Sequence, residues 1–270
     1  MVNDMKIGFI GAGNMASAIV GGAVKSGKFA PNDIYVCDIN EEKVNKLKTE
    51  LGVNAAAADA LELINSVDTV VLAVKPNVFA SLLPSVSKDI NDKGTFVISI
   101  AAGKSVAEIN SLLGSNVPVA RVMPNINATV LEAMSAYCCN ALVNDEQKAL
   151  VEKLCSSFGK VVSIEEEKFS IFSAIAGCSP AYAYMFIDSL ARAGVKNGLA
   201  KGQALEIAAQ TVLGSAKKIL ESNEHPWELV DRVCSPGGTT IEGVCALQEN
   251  GFEATVTSAV DASYLKDKSL

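Results

Sequence analysis

The sequence predicts an α/β domain built on a doubly wound parallel sheet, followed by an all-α domain. Three observations carry that reading. The first half alternates short apolar runs with helical segments, the pattern of βαβ units. A glycine cluster directly follows the first apolar run and opens a helix. From about Glu165 strand-like runs stop and alanine- and leucine-rich helices take over. The expected domains are therefore 1–164 and 165–270, with no flexible linker and no internal repeat.

The expected strands are Met5–Ile10, Asp33–Asp38, Thr69–Val74, Thr95–Ile100 and Val117–Val122. Continuous runs rich in β-branched residues fit strands covered on both faces. Between them, Asn14–Ser26 and Glu41–Leu51 read as helices, the latter closed by Gly52 as C-cap. Ser105 and Glu108 have capping-box spacing and open a helix that stops near Gly114. Asn144–Phe158, closed by Gly159, reads as another. In the second half, Ser179 is the expected N-cap of a helix over Pro180–Lys196, with Gly198 past its end. Helices are also expected over Gln203–Glu221, Thr239–Gln248 and Glu253–Lys266.

Composition narrows the function. A hydrophobic fraction of 49% with 20% charged residues is globular. The net charge of −7 and the lack of any Lys/Arg block argue against nucleic acid or anionic membrane as partner. Met1-Val2-Asn3-Asp4 has no basic flank and no apolar core behind it, so no signal peptide is expected. Phe169–Ile187 reaches membrane length, but Gly177-Cys178-Ser179-Pro180 interrupts it. It reads as two buried helical pieces at a subunit interface. Seven cysteines without a CxxC, and a single histidine, His225, fit neither a zinc site nor a disulfide framework. Buried reduced thiols in a cytoplasmic protein are expected, and no metal. A Ser-His-Asp or Cys-His hydrolase would depend on His225, and no nucleophile elbow accompanies it.

Gly11-Ala12-Gly13-Asn14-Met15-Ala16 matches GxGxx(G/A) between a strand and a helix, as in a Rossmann-type dinucleotide site. Gly11 permits the tight turn, Gly13 lets a pyrophosphate approach the backbone, and Ala16 lets the helix pack close. The helix N-terminus offers free N–H groups to the phosphates. Asp38, 22 residues after Ala16, suits the ribose hydroxyls and repels a 2′-phosphate, which favours NADH over NADPH. Ala73-Val74-Lys75-Pro76 and Ala101-Ala102-Gly103 end two further strands, where ligands of open parallel sheets gather. Lys75 before a proline reads as a solvated loop residue, with a catalytic cation as the alternative.

A second glycine loop, Val233-Cys234-Ser235-Pro236-Gly237-Gly238-Thr239-Thr240, precedes a helix. Hydroxyls and glycines at a helix start can hold a carboxylate. An ordinary capped turn is the other reading.

The segments at 8–16, Ala73–Pro76, Arg121-Val122-Met123-Pro124-Asn125 and Ser235–Thr240 together resemble the pyrroline-5-carboxylate reductase family over essentially the whole chain. The resemblance implies hydride transfer from NADH or NADPH to the C=N carbon of 1-pyrroline-5-carboxylate, giving L-proline. It implies homodimers built through the helical domain, often assembled into a decamer. It assigns the substrate carboxylate to Ser235, Gly237, Gly238 and Thr239, and the ring nitrogen to Thr240 as the catalytic residue. Two departures from the family pattern are Cys178, in Gly177-Cys178-Ser179-Pro180, and Ile126-Asn127 after Asn125. The alternatives are a reductase of another cyclic imine and a 3-hydroxyacid dehydrogenase, for which Lys196 and Lys201 are the lysines to consider. A different class is a non-catalytic NAD(P) sensor.

Overall fold

The computed structural model describes residues 5–56, 59–114 and 116–269, so Met1-Val2-Asn3-Asp4 and its expected lack of a signal peptide lie outside the described residues. The chain divides into two compact units that part between Gly177 and Cys178.

The first unit begins with β1 (Ile7–Ile10), α1 (Asn14–Lys25), β2 (Ile34–Cys37), α2 (Glu41–Leu51), β3 (Asn54–Ala55) and α3 (Ala60–Ser66). It continues with β4 (Thr69–Leu72), α4 (Phe79–Lys93), β5 (Phe96–Ser99), α5 (Val106–Leu113) and β6 (Val119–Met123). It closes with β7 (Ala133–Cys139), α6 (Asp145–Cys155), β8 (Gly159–Ser163) and a short helix, α7 (Phe169–Phe172). The strands form one sheet in the order β3-β2-β1-β4-β5-β6-β7-β8. Pairing is parallel except between β6 and β7.

Both faces of the sheet are covered, which is why its strands read as unbroken apolar runs. One face packs Phe9 and Ile98 against Ile19 and Val20 of α1, Leu47 of α2 and Leu150 of α6. The other packs Val70 and Leu72 against Ile64 of α3, Leu83 and Ile90 of α4 and Ile109 of α5. The capping box at Ser105 is present in full, and Gly52 closes α2 in the left-handed region.

Several expectations need correction. Gly159 does not cap a helix; α6 ends at Cys155, Phe158 enters the core and Gly159 begins β8. No break occurs at Gly177–Pro180. Residues 169–196 run continuously through α7, a π-helical turn (Ser173–Cys178) and α8 (Ser179–Lys196). Cys178 is already in the right-handed helical region, so Ser179 is not an N-cap. The wider π-turn absorbs the proline that would otherwise break the ladder.

The second unit consists of α8, α9 (Lys201–Glu221), α10 (Pro226–Val233), α11 (Thr239–Glu249) and α12 (Phe252–Lys268). Its buried apolar core is small, formed by Ala191, Ala204 and Ala208. Phe169, Ala174 and Ala176 are buried, while Tyr184, Met185, Leu213, Leu220, Val233 and Leu265 are exposed in the single chain. By length and composition alone, residues 166–196 form one helix long and apolar enough to cross a membrane.

Helix α1 packs tightly on the segment before β8. A Cβ at Gly22 would lie 2.8 Å from the Phe158 Cβ and 3.0 Å from the Ser157 carbonyl oxygen. Alanine gains about 1 kcal/mol in helix propensity, but overpacking against near-backbone atoms costs about 1–3 kcal/mol. Gly22→Ala should therefore lower the urea midpoint at unchanged m value; a raised midpoint would mean that the packed segment yields freely.

Candidate active site

Because the pairing is parallel, the carboxyl ends of four strands form one row. Cys37 is opposite Ile10, Ile10 opposite Leu72, and Leu72 opposite Ser99. The strand order reverses at β1, between β2 and β4, which marks the crevice where open α/β sheets bind ligands. Along this row stand Gly11, Ala12 and Gly13 after β1, Asp38 after β2, Ala73–Pro76 after β4, and Ala101–Gly103 beyond β5.

The turn after β1 needs glycine at its first position. Gly11 has φ +109, and a Cβ there would lie 2.6 Å from the Ala73 carbonyl oxygen. Its N–H donates to the Cys37 carbonyl, and the Ala73 N–H donates to Ile10, so the loop is tied to both neighbouring strands. Gly13 is the N-cap of α1 and has no side-chain cap. A Cβ at Gly13 would meet nothing within 4 Å. The space over the bare N–H groups of α1 is therefore open, as a diphosphate requires. Ala16 is buried against the sheet, Met15 is half-buried and Asn14 is exposed.

Asp38 is half-buried, and both its carboxylate oxygens face backbone. Oδ2 accepts from the Ala12 N–H at 2.6 Å, and Oδ1 from the Asn40 N–H at 2.8 Å. The carboxylate therefore braces the glycine loop itself, which its position in the sequence did not reveal. The neighbouring Ile39 is 96% exposed, an apolar side chain with no core to enter. The only sequence signal for it is an isoleucine just past a strand-end acid. Lys75 stands exposed ahead of a proline-led turn, as a solvated loop residue would.

The second loop lies in the helical unit. Gly237 has φ +65, in the left-handed region that a side chain resists. The Gly238 N–H donates to the Ser235 carbonyl at 2.9 Å. A Cβ at Gly238 would collide with the Ser235 hydroxyl, so that hydroxyl lies directly over the glycine. Gly238 is the N-cap of α11 and no side chain caps it. Thr239 and Thr240 form its exposed first turn. The loop thus combines uncapped N–H donors with three nearby hydroxyls, a composition suited to a carboxylate.

A family description named pyrroline-5-carboxylate reductase dimerisation matches residues 166–270. One named NADP oxidoreductase coenzyme F420-dependent matches residues 6–103. Pyrroline-5-carboxylate reductase of Escherichia coli (strain K12) is 41% identical over 267 residues, covering 99% of this chain and 98% of that protein. The chain belongs to the pyrroline-5-carboxylate reductase family. The solved pyrroline-5-carboxylate reductase of Coxiella burnetii superposes with a TM-score of 0.94 at 31% identity, covering 99% of this chain and 98% of that one. The Plasmodium falciparum pyrroline carboxylate reductase, solved with NADP bound, gives 0.86 at 32% identity over 99% and 98% of the two chains.

As a member of this family the chain is an oxidoreductase with a Rossmann-type domain and a helical dimerisation domain. His225 caps α10: its Nδ1 accepts from the Trp227 N–H, and its own N–H donates to Glu228. All seven cysteines are free, though only Cys37 and Cys155 are buried. Burial, then the charge of Asp38, pushes the Cys37 thiol up to about 12. Burial likewise pushes Cys155 up to about 12. Such thiols stay protonated and unreactive near neutral pH. Of the two family departures, Cys178 closes the π-turn half-buried, and Ile126 is exposed in a 3-10 turn. Lys196 ends α8 and Lys201 begins α9, both exposed. Among the described residues no group of three His, Cys, Asp or Glu side chains could hold a metal.

The close approach at Gly11 generates a test. A Cβ there forces the loop out of its present path, at a strain of about 1–3 kcal/mol. Gly11→Ala should weaken NADH binding by about 10- to 100-fold, measured by nicotinamide fluorescence, with unchanged circular dichroism. Unaltered binding would show that the nucleotide does not use this turn.

Proposed function

We infer that the chain reduces the C=N bond of 1-pyrroline-5-carboxylate to L-proline at the expense of NAD(P)H, the last step of proline biosynthesis. The full-length identity of 41% to a pyrroline-5-carboxylate reductase carries this reading. In the reaction a hydride adds to the imine carbon and a proton to the ring nitrogen, leaving oxidised nicotinamide and proline.

The first unit suits the nucleotide. Gly11, Ala12, Gly13, Asn14 and Met15 hold the diphosphate at the open end of α1, where N–H groups converge. Asp38 keeps its braced geometry and offers its remaining lone pairs to the adenosine ribose. Ile39 gives the adenine an exposed apolar platform. Ala73, Val74, Lys75 and Pro76, with Ala101, Ala102 and Gly103, line the nicotinamide end, where small residues leave room for a flat ring. When bound there, the nicotinamide supplies the hydride.

In the second unit, Ser235 and the backbone of Gly237, Gly238 and Thr239 take the substrate carboxylate. Thr240 hydrogen-bonds the ring nitrogen, stabilising its proton as the carbon is reduced. A protonated imine is already electrophilic, so orientation supplies most of the rate. The exposed apolar faces of α8, α9 and α12 are covered by a second copy, and dimers assemble further into a decamer. The free thiols fit a reducing, cytoplasmic setting.

Asp38 favours NADH, because its charge opposes a 2′-phosphate. Purified protein with 1-pyrroline-5-carboxylate should oxidise NADH faster than NADPH, followed at the nicotinamide absorbance band. No oxidation of either would overturn the reading. Asp38→Asn should raise the NADPH to NADH ratio of kcat/KM by about tenfold, through removal of like-charge repulsion. Thr240→Val should cut kcat by roughly 10- to 100-fold, the worth of one hydrogen bond to a charged group, while NADH affinity stays constant. A full-rate Thr240→Val enzyme would remove that residue from the mechanism. Light scattering should give twice the 28.2 kDa chain mass or a multiple of that; a monomer would refute the assembly.

A further inference from the structure

The segment Arg121-Val122-Met123-Pro124-Asn125 runs along and just past β6, and no role assigned above uses it. Its polar side chains go to the long helix. Arg121 Nη1 donates to Glu166 Oε1 at 3.0 Å, an oxygen that also accepts from the Val106 N–H at 2.8 Å. The Arg121 guanidinium lies 4.4 Å from the centre of the Phe169 ring. Asn125 is 7% exposed, and its Nδ2 donates to the Ala176 carbonyl at 2.9 Å. Its Oδ1 accepts from the Met134 N–H at 3.3 Å.

The Ala176 carbonyl is a particular acceptor. In an α-helix its partner is the N–H four residues on, which is position 180. Pro180 has no N–H to give. The Asn125 amide donates to this carbonyl instead, inside the π-turn that carries the helix past the proline. The same turn lies against the end of β6, since a Cβ at Gly177 would meet Met123 Cε at 3.4 Å. β6 pairs in parallel with β5, so its end belongs to the carboxyl edge of the sheet, the edge that carries the glycine loop. π-Turns concentrate at functional sites.

We propose that Asn125 is a positioning residue for the reduction. By holding the π-turn against the end of β6, it fixes one wall of the space at the carboxyl edge of the sheet in which the nicotinamide must be oriented for hydride transfer to the imine. It touches neither. The inference rests on the reductase reading above, so wild-type turnover of 1-pyrroline-5-carboxylate is measured first; its absence would overturn that reading rather than this one.

Two routes disturb the turn with opposite effects on stability. Asn125→Ala leaves the Ala176 carbonyl without its side-chain donor and should lower Tm. Pro180→Ala supplies a backbone N–H to that carbonyl and should preserve or raise Tm while drawing the turn towards regular α-helix. Both should reduce kcat on the order of 10- to 100-fold, the scale of an ångström-sized misplacement, with NADH affinity within twofold of wild type. The double variant should regain Tm without regaining kcat. A purely structural role predicts the reverse: kcat near wild type in Pro180→Ala, and kcat recovering in step with Tm in the double variant. Either result would overturn the proposal. If Asn125→Ala does not fold, Pro180→Ala decides alone: a fall in kcat at undiminished Tm supports it, and an unchanged kcat sinks it.

Discussion

The backbone of Gly11 passes so close to Ala73 that no side chain fits between them, and much of the first unit follows from that approach. It ends β1 against β4 at the point where the strand order reverses. It turns the chain so that α1 starts at Gly13 with its first N–H groups bare. It brings Ala12 within 2.6 Å of the Asp38 carboxylate, which braces the loop. A parallel sheet collects its loops at one edge; the glycine decides that one of those loops opens onto empty space.

The second unit obeys a different constraint. Its helices bury few side chains of their own and leave leucine, methionine and tyrosine on the surface. A helix that is apolar all round needs cover that one chain does not provide. Length and hydropathy alone do not say whether lipid or protein covers α8. The family match over residues 166–270 is to a dimerisation domain.

The two glycine loops share one local feature. Gly13 and Gly238 are both N-caps without a side-chain cap, each opening a helix of eleven or more residues. A serine or aspartate there would satisfy the orphan N–H groups from within and close the site to an anion. At Ser105 and Asn144, where no anion is expected, full capping boxes close the helix starts. His225 caps α10 in the same way.

Local signals were legible wherever the cause was local. Gly13, the capping box at Ser105 and the left-handed Gly52 each depend on neighbours in the chain, whereas Gly11 also answers to Ala73 across the sheet. The sequence therefore determined the alternating layers, the glycine loop and the helix start at Thr239; that no side chain caps that start is a finding of the structure. Elements whose reason lies elsewhere were not legible. β7 lacks β-branched residues and gains its place by pairing with β6 and β8. Helix α4 carries Pro84 within it and holds its course by burying Phe79, Leu83, Val86 and Ile90. The continuity of residues 169–196 was hidden because Pro180 reads as a stop. Only the tertiary structure brings Asn125, 51 positions upstream, to the Ala176 carbonyl, whose α-helical donor position is occupied by Pro180. A single chain's pattern records what each residue prefers, whereas a carbonyl's partner from a distant loop is chosen only when the packed sheet brings that loop within 3 Å.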